Sequence, residues 1–155
     1  MTSQTIIAAD AGLRFEDGAD RGRIVVSGED TGGRYALMEW TVAANDPIPE
    51  SEVPDYGPHL HRECEETFLI RRGSLDFLIG EKVTTVHTGD FVRVPPGTRH
   101  GYRNTSGEAV EMLVGFYPAG LEMLFVKYRT DRPDALAAEG FVADATRLHA
   151  SEFEA

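Results

Sequence analysis

From Arg23 to Tyr117 the chain alternates short runs rich in Val, Ile, Phe, Thr and Tyr with Gly, Pro, Asn and Asp. Apolar runs this short, punctuated by turn formers, predict antiparallel strands rather than helices. The candidate strands are Arg23–Ser27, Arg34–Val42, Thr67–Arg71, Leu75–Ile79, Lys82–Thr88, Phe91–Val94, Arg99–Asn104 and Val110–Tyr117. The clearest local signal is Leu75 to Ile79, then Gly80-Glu81, then Lys82 to Val86. Glycine first in a two-residue loop predicts a hairpin closed by a type II′ turn. Strands joined this closely, with no helical period between them, predict an all-β sandwich or barrel and not a parallel sheet wrapped by helices.

The pattern changes after Pro118. Leu121 to Tyr128 carries apolar residues at three- and four-residue spacing, and Pro133–Glu139 and Asp144–Phe153 read as further short helices. Pro133 suits a first helical turn and Asp144 an N-cap. Their expected role is to cover one open end or side of the barrel, hiding strand edges. The proline- and acid-rich stretch from Ala43 to Pro58 reads as a long, stiff loop placed to rim a site.

Length and composition narrow this picture. A chain of 155 residues that is 41% hydrophobic predicts one domain, 1–155, with a barrel core at about 23–117 and a helical extension at about 119–155. The formal net charge of −11 would repel phosphate backbones and anionic lipid, which argues against nucleic acid and membrane as partners. The N-terminal segment lacks a basic start and a long apolar run, so a cytoplasmic location is expected. Cys64 is the single cysteine, so no intrachain disulfide can form.

The candidate chemistry lies in two clusters. His59 and His61 are two apart in extended chain, so their side chains leave one face and can converge on an ion. Glu66 shares its strand parity with Phe68 and Ile70, which points the carboxylate at the apolar interior. A buried carboxylate needs a cation, and neighbouring imidazoles make a metal the natural one. The second cluster runs from Gly89 to Asn104. Its Pro95-Pro96-Gly97 turn delivers a strand with His100 at the entry, and Tyr102 shares the parity of His100 and should face the same cavity.

Pro58 to Gly73 and Gly89 to Asn104 resemble the two signature motifs of the cupin superfamily. His59 and His61 match the paired histidines, Glu66 and Gly73 follow at the family's spacing, and Gly89, Pro95, Gly97, His100 and Asn104 complete the second motif. One departure is Val53, where the family has an early structural glycine. The resemblance implies a double-stranded β-helix, or jelly-roll barrel, with His59, His61, Glu66 and His100 coordinating one divalent transition metal ion. It also suggests a homodimer. Three imidazoles and one carboxylate favour Fe(II), Mn(II), Ni(II), Co(II) or Zn(II) over Ca(II) or Mg(II), which prefer all-oxygen sites.

Among the other residues, Cys64 reads as a packed turn residue rather than a ligand. Glu63 and Glu65 read as solvated rim charges, and His87 and His149 as outside the chemistry. Phe68, Phe77 and Trp40 read as core, and Arg71, Arg72 and Arg93 as surface ion-pair partners. By its resemblance to small cupins of the quercetin 2,3-dioxygenase type, the chain is expected to act as a metal-dependent dioxygenase on a small aromatic or enolic molecule. Glu66 would then serve as ligand and proton acceptor, and Tyr102 as a second candidate catalytic residue. The alternatives are a non-redox isomerase, lyase or polyketide-type cyclase, and a binding module without turnover.

Overall fold

The computed structural model describes residues 5–17, 19–44, 58–123 and 125. Nine strands and one short helix are defined among them. They are β1 (Leu13–Asp17), β2 (Asp20–Val26), α1 (Gly28–Thr31), β3 (Ala36–Val42), β4 (Glu65–Arg72), β5 (Ser74–Ile79), β6 (Lys82–His87), β7 (Phe91–Val94), β8 (His100–Arg103) and β9 (Val110–Tyr117). A six-stranded sheet runs β1-β2-β3-β9-β4-β7 and a three-stranded sheet runs β6-β5-β8, with every pairing antiparallel. The core draws on both sheets, as in a jelly-roll barrel, which is the expected fold class.

Alternation explains the sandwich. Burial along β3 switches at every residue, so Ala36, Met38, Trp40 and Val42 face inward and Leu37, Glu39 and Thr41 outward. Register then stacks the inward residues in layers. One layer holds Ala36, Phe116, Glu66 and Val94, the next Met38, Val114, Phe68 and Val92, and a third Trp40, Met112 and Ile70. Fully buried Phe68 and Phe77 meet edge to face at 4.9 Å between the sheets. Burial of each such side chain contributes roughly 1.5–3 kcal/mol.

The chain passes from one sheet to the other at Gly73, the single residue between β4 and β5. Its φ is +92°, and a Cβ there would lie 3.0 Å from the Ala109 carbonyl oxygen, so this corner needs glycine on both counts. In the predicted hairpin Ile79 pairs with Lys82, and Gly80 has φ +61° while Glu81 is not in the positive region, as a type II′ turn requires.

Three features differ from the sequence reading. β2 begins at Asp20 rather than Arg23, and β1 precedes it, so the sheet starts at Leu13 and not at about residue 23. β1 escapes pattern reading because it is a charged edge strand whose one deeply buried side chain is Phe15, laid across Gly22. Helix α1 was also unforeseen. Ser27 caps it, with the Ser27 amide donating in return to the Asp30 carboxylate at 2.9 Å, and Gly32 closes it at φ +64°. After Pro118 the backbone is helical at Glu122, Met123 and Phe125, within the predicted Leu121–Tyr128 segment. The buried Leu121 and Met123, with Phe125, join the core. The helices proposed at Pro133–Glu139 and Asp144–Phe153, His149, Val53 and most of the 43–58 loop lie outside the described residues.

Candidate metal centre

Each of the four donors reaches the site from a different local structure. His59 is a single extended residue on the free edge of β8, its amide donating to the His100 carbonyl at 3.0 Å and its carbonyl accepting from the His100 amide at 2.8 Å. His61 follows two residues later, and its carbonyl accepts the Gly97 amide at 2.6 Å, which ties the histidine pair to the Pro95-Pro96-Gly97 turn. Glu66 is the second residue of β4, facing inward between Val94 and Phe116. His100 opens β8 and is 1% exposed. His59, His61 and Glu66 lie close together in the chain and His100 lies on a later strand, and their ligand atoms all fall within 4.8 Å of one another.

The distances suit one ion. His61 Nε2 is 3.1 Å and His100 Nε2 3.0 Å from the same carboxylate oxygen, Glu66 Oε2. Two donors about 2.1 Å from a common metal at a right angle would stand about 3.0 Å apart. Protonation supports the same conclusion. His100 Nδ1 sits 2.8 Å from the Thr98 carbonyl oxygen, which can only accept, so Nδ1 carries the proton. In the neutral ring Nε2 is then a lone pair aimed at a carboxylate oxygen, and two acceptors this close require a positive charge between them. A second proton supplies one, and a metal ion supplies a better one. The residues present therefore fit the metal that the donor set calls for.

Electrostatics prepare Glu66 for that role. Burial by itself pushes its carboxyl up, but hydrogen bonds from His100 and His61 and the charge of both rings outweigh it and hold the group at about 2, below the ordinary 4.5. The carboxylate is therefore ionised across the physiological range.

The remaining predicted residues fall outside this donor set. Glu65 points to the outer face of the sheet, where both its oxygens accept from Arg93 at 2.5 and 2.8 Å. Cys64 is buried with its thiol toward the Glu65 and Pro118 carbonyls, and Glu63 and His87 are exposed. Tyr102 lies two residues along β8 from His100, its ring 5.5 Å from Phe77 and 5.9 Å from Phe68, one layer deeper than the histidines. Trp40 belongs to a second aromatic cluster, stacked on Phe15 at 5.6 Å and tilted against Phe125 at 5.3 Å. Sequence reasoning placed Gly97 in the turn that delivers His100 but did not identify Thr98 as a positioning residue. Both act through backbone groups, and the proline-proline-glycine turn was the available signal.

Residues 49–116 match the cupin domain family, a segment that contains all four donors. This chain has the cupin fold. Across 101 residues the cupin chain is 23% identical to quercetin 2,3-dioxygenase of Bacillus subtilis, covering 65% of this chain and 28% of that protein. It is 40% identical over 73 residues to an uncharacterized protein of Aquifex aeolicus, 46% of this chain and 55% of that one. It thus spans about half or less of these curated relatives. Among solved structures, the cupin fold matches a predicted oxalate decarboxylase from Thermotoga maritima with TM-score 0.61 at 16% identity, covering 74% of this chain and 99% of that one. It also matches the polyketide cyclase RemF from Streptomyces resistomycificus with TM-score 0.51 at 22% identity, covering 70% of each chain. Likeness at these identities establishes the fold and leaves the reaction open. Among the described residues no helix is long and apolar enough to cross a membrane.

Proposed function

We propose that this cupin is a metal-dependent oxidoreductase of the dioxygenase kind, acting on a small aromatic or enolic molecule. The observation that carries the reading is the constellation of half-buried His59 with buried His61, Glu66 and His100 at the end of an aromatic interior. A divalent transition ion held there would supply a Lewis acid with coordination positions left over for substrate.

The chain's own groups supply the rest. His100 is fixed in the Nδ1–H tautomer by Thr98, so Nε2 is presented as a donor without reorganisation. Glu66 is buried and ionised and compensates positive charge in the site. Held low by His100 and His61, its carboxyl is a ligand first and a weak base. Phe68 and Phe77 are fully buried and back the site, and the partly buried Tyr102 ring packed against them is the aromatic group placed to touch a flat molecule. The low-dielectric surroundings strengthen each polar contact made there.

Oxygen uptake on addition of flavonols or simple enols to Fe-, Mn-, Ni- or Co-loaded protein tests the reading. Substrate loss without oxygen uptake, retained with redox-silent Zn(II), would overturn it. That outcome would select instead the non-redox cyclase, isomerase or lyase reading, which the structural likeness to a polyketide cyclase favours.

A further inference from the structure

The tip of the β5–β6 hairpin meets the chain beside the most deeply buried donor. His100 pairs with Ile79 of β5 on one side and with His59 on the other, and the Ile79 pair is the last between β5 and β8. One step further the two segments are tied through Gly80 and Arg99. The Gly80 amide donates to the Arg99 carbonyl at 2.7 Å, and Nη1 of the half-buried Arg99 side chain donates back to the Gly80 carbonyl at 3.0 Å. Gly80 is the first residue of the hairpin turn, at φ +61° with open space where a Cβ would stand. A guanidinium carries its charge at every working pH, so it holds a turn carbonyl more firmly than a neutral donor would.

Arg99 also lies within the ring closure that aims His100. The His100 Nδ1 contact to the Thr98 carbonyl oxygen at 2.8 Å spans Arg99. Peptide units are planar, so only the φ and ψ rotations of Arg99 separate the plane carrying the Thr98 carbonyl from the plane leading into His100. Gly80 grips the second plane by the Arg99 carbonyl and the Arg99 Cα by its side chain, which restrains both rotations from one residue. Neighbouring residues of extended chain point to opposite faces, so with His100 inward the guanidinium reaches the site through the backbone. Given the metal centre proposed above, we infer that Arg99 is a positioning residue for His100, its guanidinium locking the hairpin tip to the peptide units that aim the ring.

Co(II) titration of the chelator-stripped full chain tests the inference, together with the visible spectrum of the loaded protein and a urea melt of the stripped one. Arg99→Met keeps the apolar stem and removes the donors. It should lower Co(II) affinity about tenfold, the lesser effect of contacts that orient ligands, and shift the d–d bands. Arg99→Lys returns a cationic donor, and one donor is what the Gly80 carbonyl contact uses, so most of the affinity and the wild-type spectrum should return. Glu81→Ala, the exposed neighbour in the same turn, should match wild type in all three measurements. Full affinity and an unaltered spectrum in Arg99→Met would overturn the inference, even with a lowered urea midpoint, which marks a residue that stabilises the fold alone. An equal loss in Arg99→Lys or in Glu81→Ala would overturn it as well. A wild type without Co(II) affinity would overturn the metal reading itself, and this inference with it.

Discussion

Glu66 is where the chemistry of this site concentrates, because a single oxygen meets two imidazoles at 3.0 and 3.1 Å. Replacing Glu66 or His61 by alanine removes a donor outright, so metal affinity should fall by more than the about 10–100-fold typical of lost supporting contacts. Elemental analysis after dialysis checks this, and full occupancy in both variants would sink the ligand assignment. Acid sensitivity has two signs here. Imidazoles must be neutral to bind metal, so affinity should fall as pH drops, by up to about tenfold per pH unit for each histidine that must lose a proton. In chelator-treated protein Glu66 sets a lower window. Its folded value of about 2 lies below the ordinary 4.5, so its contribution to stability is present above 4.5 and is lost as pH falls toward 2. Acid unfolding followed by circular dichroism should therefore be shallower over that range in Glu66→Gln. The choice of Glu66 over its neighbour was legible from strand parity alone, since Glu65 faces Arg93 on the opposite side of the sheet. The Thr98 contact that fixes the His100 tautomer was not legible, because a backbone carbonyl has no residue-type signature.

At the scale of elements, the site depends on how strand ends are pinned. His59 is held by paired backbone bonds to His100, so the first donor and the last share one register. A different pin closes the other side of the barrel. The fully buried Glu122 carboxylate accepts from the Gly28 amide at 3.0 Å and from the Gly120 amide at 2.6 Å, joining helix α1 to the segment after β9. Glu122→Ala leaves two buried amides without that acceptor and should cost about 2–4 kcal/mol, read from denaturant melts, while metal affinity changes little. The β5–β6 hairpin was predictable from Gly80-Glu81 because its turn chemistry is local. Strand β1 and helix α1 were not, since one is a charged edge strand with a single buried ring and the other spans only four residues. Glu122 was equally hidden. Its partners are an adjacent loop and a residue nearly a hundred positions away, and only the folded chain brings them together.

For the molecule as a whole, metal and fold should be coupled. An ion that binds only the folded chain stabilises it by about 2.7 kcal/mol at a hundredfold excess over Kd, which in a chain of this size raises Tm by about 5–10 °C. Thermal melts with and without a chelator measure the shift, and its absence in Glu66→Ala but not in Glu122→Ala would separate the ligand from the structural carboxylate.

The sequence by itself determined the all-β character, most strand positions, the cupin motifs and the four candidate metal donors. Each of these rests on patterns read within a few residues: alternation, turn chemistry and motif spacing. Tertiary structure alone decided that those donors share a space under 5 Å across. It also decided that Glu66 is held at about 2, that Glu122 is a buried clamp, and that the Arg99 side chain closes on Gly80. The reason is physical: pairing of strands distant in sequence sets register, and register, not composition, fixes which side chains meet.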